Sequence, residues 1–418
     1  MAGLAFVLVA TLAFLGYAAT HRTRHAVLPP PGGHHGVGSS AREAQATALL
    51  VRLRAALSAG SRSRAVTLAA PGDPAARSQL AALAHNAAAL RLTDLGFRYV
   101  DEDPGALSAN AQRPLHGRGF VADVQLSWRI EGFDAHPSDQ EVSLTLETGK
   151  KRASFVSARG HFGRDVPLWL QTRLTVRRSP TTLVMVAGDQ SARRFAGLAQ
   201  QAVIDVRKVL PHWPGHLVVE VPGSQTQLDR VFGAGRNDYN EIAAVTTTAD
   251  DRNSRTAPVH VFVNPQVFDP LGPIGSQVVL SHEATHVAMH AATSQMPTWL
   301  LEGFADFVAL DHENVPVSSS ASQILAQVRK HGPPAQLPGP PQFDTQNPTL
   351  GAQYEAAWLA CRLLAQEYGE KKLIAFYRQA DRDSSTQTAF PDVYGITQAA
   401  FTKDWRNYLR QLAGGGVR

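Results

Sequence analysis

Residues 276–292 of this 418-residue chain contain His282-Glu283-Ala284-Thr285-His286 in a run free of glycine and proline. In a helix, side chains four apart share a face, so His282 and His286 aim their imidazoles at one point. Two such imidazoles make a two-ligand seat for zinc. The Glu283 carboxylate, next to the first of them, is placed to take a proton from water held there. A catalytic zinc needs a third protein ligand and one open position. Glu302 suits that third place: the fifteen residues between it and His286 let one helix end, the chain turn near residues 292–295 and a second helix begin. Asp306 follows one helical turn later on the same face, where a carboxylate can accept the free ring N–H of a ligand histidine and fix its tautomer. His290, one turn past His286, reads as a support behind the ligands or as the end of the first helix rather than as a ligand.

These groups need elements to hold them. The spacing predicts a helix over residues 276–292 with Ser276 as its N-cap, and a second helix beginning near residue 297. Upstream, apolar strands over 181–188, 217–221, 242–248 and 258–265 alternate with helices over 191–210 and 225–232, which makes a small sheet. In the last strand Val259, Val261 and Val263 alternate with His260, Phe262 and Asn264. This strand is expected at the sheet edge, where an extended peptide can pair, with His260 facing solvent or the cleft. Downstream, residues 332–341 are too rich in proline and glycine for regular structure and form a loop that borders the cleft. Helices over 351–368, 371–379 and 398–412 form a lower lobe that packs beneath the site.

The first part of the chain is organised differently. Helical periodicity over 41–57 and 75–91 gives way to alternation over 97–101, 119–130, 141–147 and 153–157, which predicts one α+β domain over residues 41–179. That order resembles the NTF2-like cone, which implies a mouth able to hold a ligand; no titratable constellation stands out in this part, so a spacer or recognition role is expected. Residues 3–19 are almost unbroken in apolarity, about the shortest helix able to cross a ~30 Å bilayer core. The expectation is a single-pass membrane anchor over residues 1–20, with a cleaved signal peptide as the alternative. A Pro/Gly/Ser linker over 21–40 then lifts an extracytoplasmic body off the cell membrane.

Composition narrows the classes. With 44% hydrophobic and 18% charged residues the chain is globular rather than disordered. A net charge of +5 is spread along the chain without a basic block or a nucleic-acid motif, so no nucleic-acid partner is expected. The single cysteine, Cys361, excludes an intrachain disulfide and a cysteine-based zinc cluster and reads as a small core residue.

His282-Glu283-x-x-His286 followed by Trp299-Leu-Leu-Glu302-Gly-x-Ala-Asp306 resembles the gluzincin metallopeptidases, specifically the peptidase MA-like family of bacterial membrane or exported proteins. The likeness runs over about residues 181–412. Metzincins would need glycine at 289 and histidine at 292, where this chain has Met289 and Ala292. The resemblance implies a thermolysin-like domain over residues 180–414 with a small mixed sheet and a helical lower lobe. It also implies one zinc ion per chain on His282, His286 and Glu302, with Glu283 as general base and Asp306 orienting His282. Such families carry a downstream tyrosine or histidine that donates to the oxyanion, and the candidate at the matching position is Tyr354. The expected function is zinc-dependent hydrolysis of peptide bonds in a peptide or protein substrate. The alternative is a non-catalytic envelope scaffold or binding protein with a structural zinc.

Overall fold

The computed structural model describes residues 37–103, 105–158, 166–232, 242–250, 252, 254–310, 315–344 and 346–415. Two long helices come first, α1 (Val37–Ser58) and α2 (Pro74–Leu90), with a short helical turn at Arg62–Val66 between them. Asp73 caps α2 by accepting from the amides of Ala75 and Ala76, each at 2.9 Å, and Pro74 supplies the preset first turn. Arg91, with φ 52°, ends the helix in the left-handed region, and the chain passes directly into a strand.

That strand opens a four-stranded antiparallel meander: β1 (Leu92–Asp103), β2 (Gly119–Ile130), β3 (Ser138–Glu147) and β4 (Ser154–Ala158), paired in sequence order. Alternation decides its faces. Phe120, Ala122, Val124, Leu126, Trp128 and Ile130 of β2 all enter one core with Leu49, Leu53, Leu80 and Leu83 of the two helices.

The second sheet has the order β5-β6-β7-β9-β8, built from β5 (Leu174–Arg178), β6 (Thr182–Ala187), β7 (Leu217–Val221), β8 (Ala244–Thr248) and β9 (Val259–Val263). β6, β7 and β9 run parallel, while β5 and β8 are antiparallel to their neighbours. Both faces of this sheet are covered. Leu183, Met185, Val218, Val245 and Phe262 join the core of the first sheet. Val184, Val186, Val219, Val221, Val261 and Val263 pack instead with the helices α3 (Ala192–Val209) and α5 (Gly272–Ala288); the short α4 (Gln225–Phe232) lies between β7 and β8 in sequence. Near-continuous valine runs are what a sheet buried on both sides requires. The remaining helices longer than a single turn are α6 (Thr298–Leu310), α7 (Ser322–His331), α8 (Leu350–Tyr368), α9 (Glu370–Asp383), α10 (Thr386–Tyr394) and α11 (Gln398–Ala413). Helices α9, α10 and α11 meet at Trp299 of α6, whose ring centroid lies 6.3–6.4 Å from those of Phe376, Phe390 and Phe401.

The molecule is therefore mixed α+β with two sheets. Several expectations change. β9 is not an edge strand: it lies between β7 and β8, and the edges are β8 and β5. β5, which precedes residue 180, pairs into the second sheet. Helix α1 begins at Val37, so the last residues of the expected linker are helical. No helix among the described residues is long and apolar enough to cross a membrane. The longest, α1 with 22 residues, carries Arg42, Glu43, Arg52 and Arg54. This corrects the expected transmembrane anchor and the cell-membrane location drawn from it; the apolar run at residues 3–19 lies outside the described residues.

Candidate metal centre

Helix α5 starts a turn earlier than the spacing predicts. Gly272, with φ 69°, and Pro273 open it, because proline's fixed φ suits a first turn where its missing N–H costs nothing. Ser276 is thus inside the helix rather than its N-cap, and its hydroxyl lies 3.4 Å from the Phe268 carbonyl. The helix ends at Ala288, and His290 turns away from it with φ 55°. From Gly275 to His286 the helix is buried on nearly every side, consistent with its apolar residues being spread round it rather than gathered in a stripe. Its middle is clasped to α3: Ser281 donates to Asp205 at 3.0 Å, one residue before the first histidine.

From this helix His282 and His286 bring their Nε2 atoms to 2.9 Å of each other. Glu302 on α6 completes a triangle, with Oε2 3.3 Å from His282 Nε2 and 3.4 Å from His286 Nε2. Ligand bonds of about 2.0–2.1 Å in a tetrahedral zinc site place neighbouring donor atoms about 3.3–3.4 Å apart. Two edges of the triangle have that length and the third is somewhat shorter. Among the described residues, this is the group of three histidine, cysteine or acidic side chains able to hold a metal ion. Two imidazoles and a carboxylate suit zinc and also other divalent first-row metals.

The surrounding groups orient the triangle. Asp306 Oδ1 lies 2.7 Å from His282 Nδ1, which fixes a proton on Nδ1 and turns Nε2 inward. Burial alone would lower the pKa of His282; the Asp306 and Glu302 carboxylates outweigh it and hold the imidazole well above its ordinary value. Burial would raise Glu302, yet the two histidines draw it below the ordinary carboxylate range. Glu283 is pushed up by burial, against the pull of the same histidines. Its Oε2 accepts from the Thr246 hydroxyl of β8 at 2.6 Å. Among the described residues its Oε1 has no hydrogen-bond partner, nor has either Glu302 oxygen or Asp306 Oδ2. Buried carboxylate oxygens left without donors cost free energy, and a cation at the triangle would offset that cost.

Tyr354, on the first turn of α8, is fully buried, with its ring centroid 6.5 Å from that of His282 and 5.1 Å from that of Phe343. Burial first, then the nearby carboxylates, keeps its hydroxyl protonated well above the usual tyrosine range. His282, Glu283, His286, Glu302, Asp306 and Tyr354 are each at most 1% exposed, so the centre is enclosed.

Thr246 and Phe343 were not anticipated. The run Ala244-Val-Thr-Thr-Thr248 did carry a signal, because three hydroxyls on a wholly buried strand must each find a partner. His260 is the clearest reversal: it faces neither solvent nor the metal seat, and instead lines a small cavity between the two sheets. It is buried between the sheets, with Nδ1 2.8 Å from Glu220 of β7 and Nε2 3.1 Å from Asp134 in the β2–β3 turn. Comparison of the chain with protein-family models, with curated proteins and with solved structures finds no match.

Proposed function

We propose that the chain is a zinc-dependent peptidase of gluzincin type, with His282, His286 and Glu302 holding one zinc ion. The four-stranded meander with α1 and α2 then corresponds to an NTF2-like unit, and the second sheet with its helices to a thermolysin-like one. The observation that carries the reading is the Glu283 carboxylate: one oxygen is tied to Thr246 and the other has no donor, in a group that feels the charges of His282, His286 and Glu302. A structural metal site has no use for a base in that place. Zinc, when bound, supplies Lewis-acid polarisation of a carbonyl and lowers the pKa of water at its open position.

The chain's own groups then have distinct tasks. Asp306 holds the Nδ1 proton of His282 so that Nε2 stays available as a ligand. Glu283 takes a proton from the attacking water at Oε1 and returns it to the leaving amine. Tyr354, kept protonated by its surroundings, donates its O–H to the oxygen that gains charge. Enclosure keeps bulk water away and strengthens each of these interactions. Admitting a peptide requires that the enclosure open.

That same enclosure favours a second reading, a non-catalytic binding protein or scaffold with a structural zinc. Zinc content and hydrolysis of a mixed peptide library, measured on the wild type and on Glu283→Gln, separate the two. The expected result is one zinc in both proteins, with turnover reduced about 10²–10⁴-fold in the variant. Stoichiometric zinc without turnover in the wild type would select the scaffold, and a variant as active as wild type would refute Glu283 as the base.

A further inference from the structure

We propose that Thr246 is a positioning residue for Glu283, and that the edge strand β8 thereby sets which carboxylate oxygen faces the metal seat. The inference rests on the hydrolase reading and deepens it. The Thr246 hydroxyl is 2.6 Å from Glu283 Oε2 and 3.1 Å from the main-chain oxygen of the same residue. A hydroxyl has one proton to donate, and the shorter contact to a carboxylate is where it goes. The donor thus occupies Oε2 and leaves Oε1 as the free basic oxygen. A glutamate has three side-chain torsions, so a base on this helix needs such a tether to keep one orientation.

A positioning residue must itself be held, and Thr246 is. It pairs with Val261 of β9, and its neighbour Thr247 pairs with His260. Successive strand residues face opposite ways, so Thr246 points to α5 while Thr247 shares with His260 the face toward the first sheet. His260 is gripped there by Glu220 and Asp134. The strand is therefore fixed from behind, and Thr246, only 2% exposed, has no freedom to follow a wandering carboxylate. A hydroxyl kept merely to satisfy a buried strand would not need the side chain of the base as its acceptor.

The test uses the full chain with Thr246→Val, which keeps the β-branched shape, and Thr246→Ser, which keeps the hydroxyl. Zinc stoichiometry and thermal stability are measured on both, so that a folding defect in the valine variant is visible and the serine variant still reports. The expected result for Thr246→Val is a kcat about 10–100-fold lower with KM within about threefold of wild type. Thr246→Ser should restore most of the loss. A valine variant with wild-type kcat, or a serine variant as impaired as valine, overturns the proposal. Difference infrared spectra in the carboxylate region give a reading that needs no turnover. Loss of the Thr246 bond should shift a band that Glu283→Gln removes, and serine should return it. An inactive wild type with that shift present would sink the hydrolase reading and leave the positioning standing; absence of the shift would sink the positioning.

Discussion

Replacing Gly303 with alanine probes how closely the two helices behind the metal seat must approach. Gly303 follows the ligand Glu302 on α6 and faces α8. A Cβ built on it would lie 2.3 Å from the Ala357 carbonyl oxygen, 2.5 Å from its carbon and 3.1 Å from Cys361 Sγ. The first two are backbone atoms inside a helix, which cannot rotate aside. Ordinary contact begins at 3.4 Å, so α6 and α8 would have to part by about 1 Å. Overpacking of this kind costs about 1–3 kcal/mol, and alanine's helix propensity returns at most about 1 kcal/mol of it. A net loss of about 1–2 kcal/mol is expected, read as a lower urea midpoint at unchanged m-value. Parting the helices also separates Glu302 from Tyr354, which stands one turn before Ala357. If both act on one substrate, about 1 Å of misplacement should lower kcat on the order of 10²-fold. Gly303→Ala with wild-type stability and wild-type turnover would refute the claim that a missing side chain sets this approach.

Asp306→Asn keeps the shape beside His282 and removes the charge, so zinc affinity should fall about 10–100-fold in a chelator competition; equal affinity would show that Asp306 does not orient the ligand. Two buried groups should make stability fall as pH rises. Glu355 is pushed from 4.5 to about 8, by burial first and against its bond from the Ile324 amide. The folded state therefore keeps a proton that the unfolded chain releases, and stability is lost between those values. For His260 burial acts downward, but Asp134 and Glu220 prevail and raise it from 6.5 to about 10. Its contribution is fully present below 6.5 and is lost as pH climbs through about 10. Urea midpoints against pH should flatten over 4.5–8 in Glu355→Gln and over 6.5–10 in His260→Gln; slopes like those of wild type would contradict both assignments.

The triangle of His282, His286 and Glu302 was legible because helical periodicity is local: four residues make one turn, and fifteen suffice for a turn and a new helix start. Asp306 followed from the same spacing. What was not legible depends on partners far away in sequence. Strand order is absent from any one strand's alternation, so β9 looked like an edge until β8 was seen beside it. His260 alternates with valines as a surface residue would, yet Asp134, 126 positions away, meets it inside the protein. The start of α5 was misread for a different reason. Gly272-Pro-Ile-Gly275 has the composition of a break, and whether proline ends or opens a helix turns on which side of it the helix lies. β5 was hidden by its short, arginine-bearing segment, whose place is set by pairing with β6.

The second sheet has a consequence for how the molecule comes apart. Leu183, Met185, Val218, Val245 and Phe262 are sealed by the first sheet, while the valines between them in sequence are sealed by α3 and α5. A chain beginning at Thr181 would keep every residue of the metal centre but present that apolar face to water, inviting association. It would also lose β5 from one flank of the sheet and Asp134 from His260, leaving a buried imidazole with one carboxylate fewer. The two layers should therefore melt in one transition, with the smallest soluble piece much larger than the part that holds the chemistry.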